Sequence, residues 1–303
     1  MTDSMETFAQ RLQSDADLIE AYLANEINEM QGVPERLKGA MRHAALGGGK
    51  RFRPFLVLEC AAIFGANRED ALPAAAALEC IHCYSLVHDD LPSMDNDQLR
   101  RGRPTVWAAF DEWTAILAGD ALLTLAFEIL ACPVLSADPE VYRKLSLKMA
   151  RSAGAAGMVG GQCLDLQSDK LGQPPAPDVS YIQHMQALKT GALLRFSCEA
   201  GAILAGAPEK DCSSMQKFGD YIGFAFQIAD DLLDIESAPE ELGKATGKDQ
   251  AAGKATLVEL LGRDQARAKL NDIKTAALDL LAPYGAQANL LQAATHFVAT
   301  RRN

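Results

Sequence analysis

Aromatic residues are scarce in this chain: 6% of 303 positions, with only 2 tryptophans. Strands draw on aromatic and β-branched side chains, so the shortage argues against a β-rich fold. Ala, Leu and Met carry much of the apolar content, and these favour helices. The 7 cysteines are odd in number and sit mostly in apolar runs. They read as reduced, buried thiols and not as a disulfide framework. Cys80 and Cys83 form one C-x-x-C, but no second pair follows at zinc-site spacing, so helix packing is their expected role. Met1–Gln10 is polar and of mixed charge, with neither a basic n-region nor an apolar h-region. No uninterrupted apolar stretch reaches membrane-spanning length. The expected location is therefore the cytoplasm, without membrane insertion. A basic surplus is missing too: 29 Lys and Arg face 40 Asp and Glu, a net charge of −11. That lacks the basic footprint that general nucleic-acid binding needs, and any anionic substrate must be met by local cations or by metal.

What is present is helical periodicity. Phe8, Leu12, Ile19, Leu23 and Ile27 recur at helical spacing. A helix is expected from near Pro54 to Gly65, since proline suits a first turn. Further helices are expected over Glu69–Asp90, Phe110–Ala131 (almost wholly buried), Tyr142–Ala156, Val179–Ala205 and Asp211–Ile235. Residues 172–177, Gly-Gln-Pro-Pro-Ala-Pro, are the clearest loop. The fold class is all-α: one domain over 1–303, built as a bundle of about ten to twelve helices.

Two acidic clusters interrupt this apolar pattern. The first, His88-Asp89-Asp90-Leu91-Pro92-Ser93-Met94-Asp95, closes a helix. Six residues of unbroken helix turn about 240° net, which would part Asp89 from Asp95, but Pro92 makes a break plausible. The second, Gln227-Ile228-Ala229-Asp230-Asp231-Leu232-Leu233-Asp234, places Asp230 and Asp234 on one helix face. Carboxylates crowded in apolar surroundings need a cation or basic partners; a salt-bridged structural cluster is the alternative. Two such clusters could hold Mg²⁺, which takes oxygen ligands and bridges a few carboxylates to phosphates. Missing paired His and Cys ligands argue against zinc. A basic element, Gly47-Gly48-Gly49-Lys50-Arg51-Phe52-Arg53-Pro54, puts three cations beside a helix start, a fair phosphate cradle that is not a P-loop. Arg100-Arg101-Gly102-Arg103, Lys189, Lys244, Lys248 and Lys254 add cations.

GGGKRFRP (47–54), DDLPSMDNDQLRRGRPT (89–105), GMVGGQCLDL (157–166), KTG (189–191), FQIADDLLD (226–234) and LGKATGKD (242–249) occur in this order. In this the chain resembles the trans-isoprenyl diphosphate synthases, most closely the bacterial farnesyl diphosphate synthase type. The resemblance implies a helical bundle around a central apolar cavity. It implies head-to-tail condensation of isopentenyl diphosphate with dimethylallyl or geranyl diphosphate, releasing diphosphate through a magnesium-assisted allylic carbocation. Asp89 and Asp95, with Asp90, would bind magnesium on one side, and Asp230, with Asp231 and Asp234, on the other: about three ions per active site. Arg100, Lys189, Gln227 and Lys244 would hold the allylic diphosphate, with Thr190 and Lys254 nearby. Lys50, Arg53, His82 and Arg101 would hold isopentenyl diphosphate. Gln162 and Asp165 would line the cavity. Tyr84, five residues before Asp89, would floor the elongation pocket and limit the product to fifteen carbons. A homodimer is implied, with the apolar 110–131 region as a candidate interface. The alternatives are a twenty-carbon, geranylgeranyl-type synthase or a non-catalytic prenyltransferase subunit; both acidic motifs are intact, against the latter.

Overall fold

The computed structural model describes residues 2–131, 138–236 and 256–300. Among these the fold is all-α. Helix α1 spans Thr2–Glu29, α2 Glu35–Ala45, α3 Phe52–Ile63 and α4 Arg68–Asp89. A two-residue antiparallel ladder follows, β1 (Leu99–Arg100) with β2 (Arg103–Pro104). Then come α5 (Val106–Ala109), α6 (Glu112–Leu130), α7 (Pro139–Ala153), α8 (Met158–Leu171) and α9 (Val179–Gln186). A π-turn, Ala187–Gly191, joins α9 to α10 (Ala192–Leu204) without a break. The chain continues through α11 (Glu209–Glu236), α12 (Leu257–Leu261), α13 (Arg263–Leu281), a 3₁₀ stretch Ala282–Ala288 and α14 (Asn289–Thr300).

Local chemistry fixes where several helices begin. Asp111 accepts a hydrogen bond from the Thr114 amide (2.8 Å) and Asp178 one from the Tyr181 amide (2.7 Å). Each caps a donor that the first turn leaves without a partner. Thr256 and Glu259 form a reciprocal capping box at α12. Helix α3 starts at Phe52, two residues ahead of Pro54, because Arg51 enters it in the left-handed conformation (φ 46°). The Arg51 guanidinium explains this: it turns into the core and bridges Glu79 (2.6 Å) and Glu20 (2.8 Å).

The centre is α4, whose alanines 71 and 74–77 are fully buried. Helices α3 and α6 both pack against α4, whose small side chains allow close approach. Helix α10 lies across α3 and α11, and α11 lies against α13. Buried apolar side chains from Phe8 on α1 to Val298 on α14 form one contiguous cluster. Each large one contributes roughly 1.5–3 kcal/mol when removed from water.

Helix α6 departs from the expectation of near-complete burial. By length and composition it could cross a membrane, yet only 50% of that apolar window is buried. Ala115, Ala118, Leu122 and Ala126 are buried, whereas Trp113, Ile116 and Leu117 are exposed. Apolar composition all round the helix concealed which side faces the core. Cys163 on α8 is likewise exposed, unlike the other described cysteines.

Candidate active site

Helix α4 stops at Asp89, and the chain then folds back. The Met94 amide donates to the Leu91 carbonyl (2.8 Å), and Asp95 donates to the carbonyl of Asp89 itself (2.8 Å). Asn96 takes a left-handed φ of 54°, which asparagine tolerates better than most residues. The break expected at Pro92 therefore brings Asp95 beside Asp89. Burial pushes the Asp89 carboxyl up to about 6, with Asp95 and Asp90 adding to the rise against Lys189 and Arg100. A carboxyl in this condition favours a cation.

Asp90 faces the other way. It is buried and held by Arg100, whose Nε lies 2.8 and 3.0 Å from its two oxygens and whose Nη2 lies 2.6 Å from Oδ1. Both residues were expected to meet ligand; here each occupies the other. The fork pairs planar guanidinium with planar carboxylate and stiffens the return from Asp97 to the β1–β2 ladder.

Opposite, α11 presents its own acids. A cavity of about 340 Å³ is lined by Asp95 from the first cluster, Gln227 and Asp231 from the second, and Asp165, Lys189 and Thr190 between them. The two clusters expected from sequence thus face one space. Asp231 is buried and accepts from the Leu257 amide (3.2 Å) and from Gln186 Nε2 (3.4 Å), tying α12 and α9 to α11. Asp230 is half-buried and near enough to Arg53 to act on it electrostatically, whereas Asp234 is exposed.

Lys189 reaches this space from the π-turn, its Nζ 2.6 Å from Asp165 Oδ2. A Cβ at Gly161 would lie 2.1 Å from the Lys189 amide nitrogen, and one at Gly223 would lie 2.9 Å from the Gly191 Cα. The turn is thus wedged between bare backbone of α8 and α11. π-turns tend to mark functional positions. This one was not visible in the sequence, although the Lys-Thr-Gly motif and the two glycines were.

The cationic side converges partly as expected. Arg53 Nη1 lies 3.4 Å from His82 Nε2. Burial and the nearby arginines 53, 101, 51 and 100 push the His82 imidazole well below its usual range, so it is neutral at neutral pH. Arg101 donates to the Gly48 carbonyl, drawing the glycine loop onto the β1–β2 turn. The Lys50 ammonium sits 5.3 Å over the Phe297 ring. Arg51, the third cation of that segment, belongs to the core and not to the cradle. Lys244, Lys248 and Lys254 lie outside the described residues.

Below Asp89 opens a second cavity of about 600 Å³, mostly apolar. Tyr84, Ser85, His88, Met94, Met158, Leu166 and Leu193 line it, with Arg53 and His82 at one side and Lys189 and Thr190 shared with the first space. Tyr84 is buried, and its hydroxyl is pushed up to about 12, by burial first and then by Asp89. Gln162 is buried in this wall with neither amide atom hydrogen-bonded. A buried amide in that state has capacity to hydrogen-bond whatever enters the cavity. Met94, Met158 and Leu166 are wall residues that sequence reasoning missed, because apolar side chains of a cavity and of a core look alike in one dimension.

The sequence profile of the polyprenyl synthetase family matches residues 34–279. A farnesyl diphosphate synthase of Geobacillus stearothermophilus is 42% identical over 262 residues, 86% of each chain. A geranylgeranyl diphosphate synthase of Cyanophora paradoxa is 40% identical over 273 residues, 90% of each chain. The crystal structure of an FPP/GFPP synthase from Zymomonas mobilis superposes with a TM-score of 0.86 at 39% identity, covering 98% of this chain and 100% of that one. With two facing aspartate clusters, a cationic cradle and an apolar cavity below the first cluster, the chain belongs to the polyprenyl synthetase family.

Proposed function

We propose that the protein is a prenyltransferase that joins isopentenyl diphosphate to dimethylallyl and geranyl diphosphate, giving farnesyl diphosphate and releasing diphosphate. The observation that carries this reading is the junction of the two cavities. A space lined by carboxylates and a lysine opens at Lys189 and Thr190 into a long apolar one. That is the shape of a molecule with a charged head and a prenyl tail. Farnesyl diphosphate synthases among the relatives support the fifteen-carbon product.

The donor set suits magnesium. Asp89, Asp95, Asp230, Asp231, Asp234 and Gln227 offer only oxygen donors or an amide. Among the described residues, no three His, Cys, Asp or Glu side chains are gathered closely enough to hold an ion alone. This fits a cation that keeps waters and shares one or two carboxylates with substrate phosphates. When bound, magnesium would stabilise the charge that develops on departing diphosphate. Asp89 and Asp95 would hold it on one side and Asp230 on the other, with Asp90 and Asp231 positioning their helix ends.

The remaining work falls to the chain's own residues. Lys189, Thr190 and Gln227 would orient the allylic diphosphate, with Lys189 exchanging Asp165 for phosphate oxygen. Arg53, His82, Arg101 and Lys50 would seat isopentenyl diphosphate, the neutral His82 donating one hydrogen bond. The apolar wall would exclude water from the allylic cation until the double bond attacks. No side chain there is an evident base, so the proton would leave with diphosphate. The exposed apolar face of α6 supports a homodimer closed through an isologous contact of Trp113, Ile116 and Leu117. A cytoplasmic location completes the reading.

The test is a product assay with isopentenyl diphosphate and labelled dimethylallyl or geranyl diphosphate, with and without Mg²⁺. A magnesium-dependent fifteen-carbon product is expected. A twenty-carbon product would keep the chemistry and favour the geranylgeranyl reading that other relatives support. No product from any primer would overturn the proposal.

A further inference from the structure

His88, the last side chain before the acidic motif, occupies a place that the roles above leave open. Its ring lines the apolar cavity and touches α6 on its other side. Nε2 lies 3.1 Å from the Ile116 carbonyl. A carbonyl only accepts, so Nε2 carries the proton and the ring is tethered to the α6 backbone. Tyr84, one turn earlier, packs edge-on against the same ring at 5.8 Å. The space that the ring fills exists because residue 119 is glycine. A Cβ there would lie 2.1 Å from Nε2, 2.5 Å from Cδ2 and 2.9 Å from Cε1. Real Cβ atoms essentially never come so close, so the ring and an alanine at 119 cannot share this arrangement.

We propose that His88, seated in the gap at Gly119, is a second wall of the prenyl cavity, and that the pair sets product chain length together with Tyr84. The inference rests on the prenyltransferase reading and adds a specificity determinant to it. The geometry gives it two opposite handles. An alanine at 119 takes the ring's seat and breaks its tether. The ring must swing away from α6, on which side lies the cavity, and so shortens the space for the tail. Alanine at 88 removes the ring and leaves the gap open behind it, lengthening that space. Differences of one small group against a prenyl tail change selectivity by roughly tenfold or more.

The experiment compares wild type, Gly119→Ala, His88→Ala and the double variant, reading product length from isopentenyl diphosphate with dimethylallyl or geranyl diphosphate and Mg²⁺. From dimethylallyl diphosphate, Gly119→Ala should raise the ratio of ten- to fifteen-carbon product by roughly tenfold. His88→Ala should give twenty-carbon product that wild type does not. In the double variant the ten-carbon shift should vanish, because no ring remains to be displaced; a general loosening of the fold would not produce that coupling. If Gly119→Ala does not fold, judged by its helical circular dichroism, His88→Ala and His88→Asn decide: longer products support the wall, and an unchanged distribution overturns it. A wild type making fifteen carbons while every folded variant does the same would refute this inference alone. A wild type making nothing would instead refute the prenyltransferase reading beneath it.

Discussion

Replacing Asp89 by asparagine should stabilise the metal-free protein at neutral pH while it removes turnover. The Asp89 carboxyl titrates near 6 in the folded chain against 3.8 for a solvated aspartate, because burial and its acidic neighbours outweigh Lys189 and Arg100. The folded state therefore holds a proton that the unfolded state has released. Between about pH 4 and pH 6 stability falls as pH rises, and the whole deficit persists above 6. At about 1.4 kcal/mol per pH unit, the ceiling is roughly 3 kcal/mol. Residual water near the site reduces this to about 1–2 kcal/mol, since effective screening at such sites is stronger than in a dry interior. In a chain of this size each kcal/mol is worth about 2–4 °C, so the variant should melt about 2–8 °C higher at pH 8 without magnesium. The gain should shrink towards zero below about pH 3, where the wild-type carboxyl is protonated in both states. Thermal melts of both proteins in chelator across this range give the curve. A variant that melts lower at pH 8, or a gain independent of pH, would show that the carboxylate is already satisfied by its neighbours. The same measurement with magnesium and diphosphate should reverse the order, since only wild type gains the ligand's binding energy.

Three further outcomes follow from the described contacts. Arg51→Met leaves Glu79 buried without its partner and should cost about 3–5 kcal/mol, read from urea unfolding; a cost below about 1 kcal/mol would mean that Glu79 finds water. Tyr84→Ala should extend the product to twenty carbons or more, checked by chromatography of the dephosphorylated alcohols, and an unchanged length would remove Tyr84 from the floor. Ile116→Glu with Leu117→Glu places charges on the exposed apolar face of α6 and should convert a dimer to a monomer in light scattering. A dimer that persists would place the interface elsewhere.

Much of this architecture was legible from residue pattern. The apolar runs over 69–90 and 211–235 became α4 and α11 within one or two residues of their ends. Helical periodicity is strong where one side of a helix is buried and caps are chemically distinct. Pairing was harder to read. Nothing in Arg100-Arg101 distinguishes the arginine that grips Asp90 from the one that draws in Gly48. Arg51 sits between two expected phosphate contacts, yet an unusual φ turns it to the core. Asp231 likewise spends one oxygen on the Leu257 amide, a partner distant in sequence. Long-range contacts choose among adjacent like charges, and a linear pattern carries no record of them. Helix α6 shows the converse: its composition was read correctly as apolar, but composition alone does not say how much of that surface the fold covers.

The wedge around the π-turn has a consequence for anyone who mutates this enzyme. Lys189 is placed by backbone pressed against backbone, at Gly161 on one side and Gly223 on the other, and not by the grip of its own side chain. Shortening that lysine therefore leaves its scaffold standing. Losses measured in Lys189→Ala or Lys189→Met would report the missing ammonium group and its pairing with Asp165, not a shift of the turn. Positions 161 and 223 carry the opposite lesson: their tolerance to substitution should be nearly nil, although neither has a side chain to contribute.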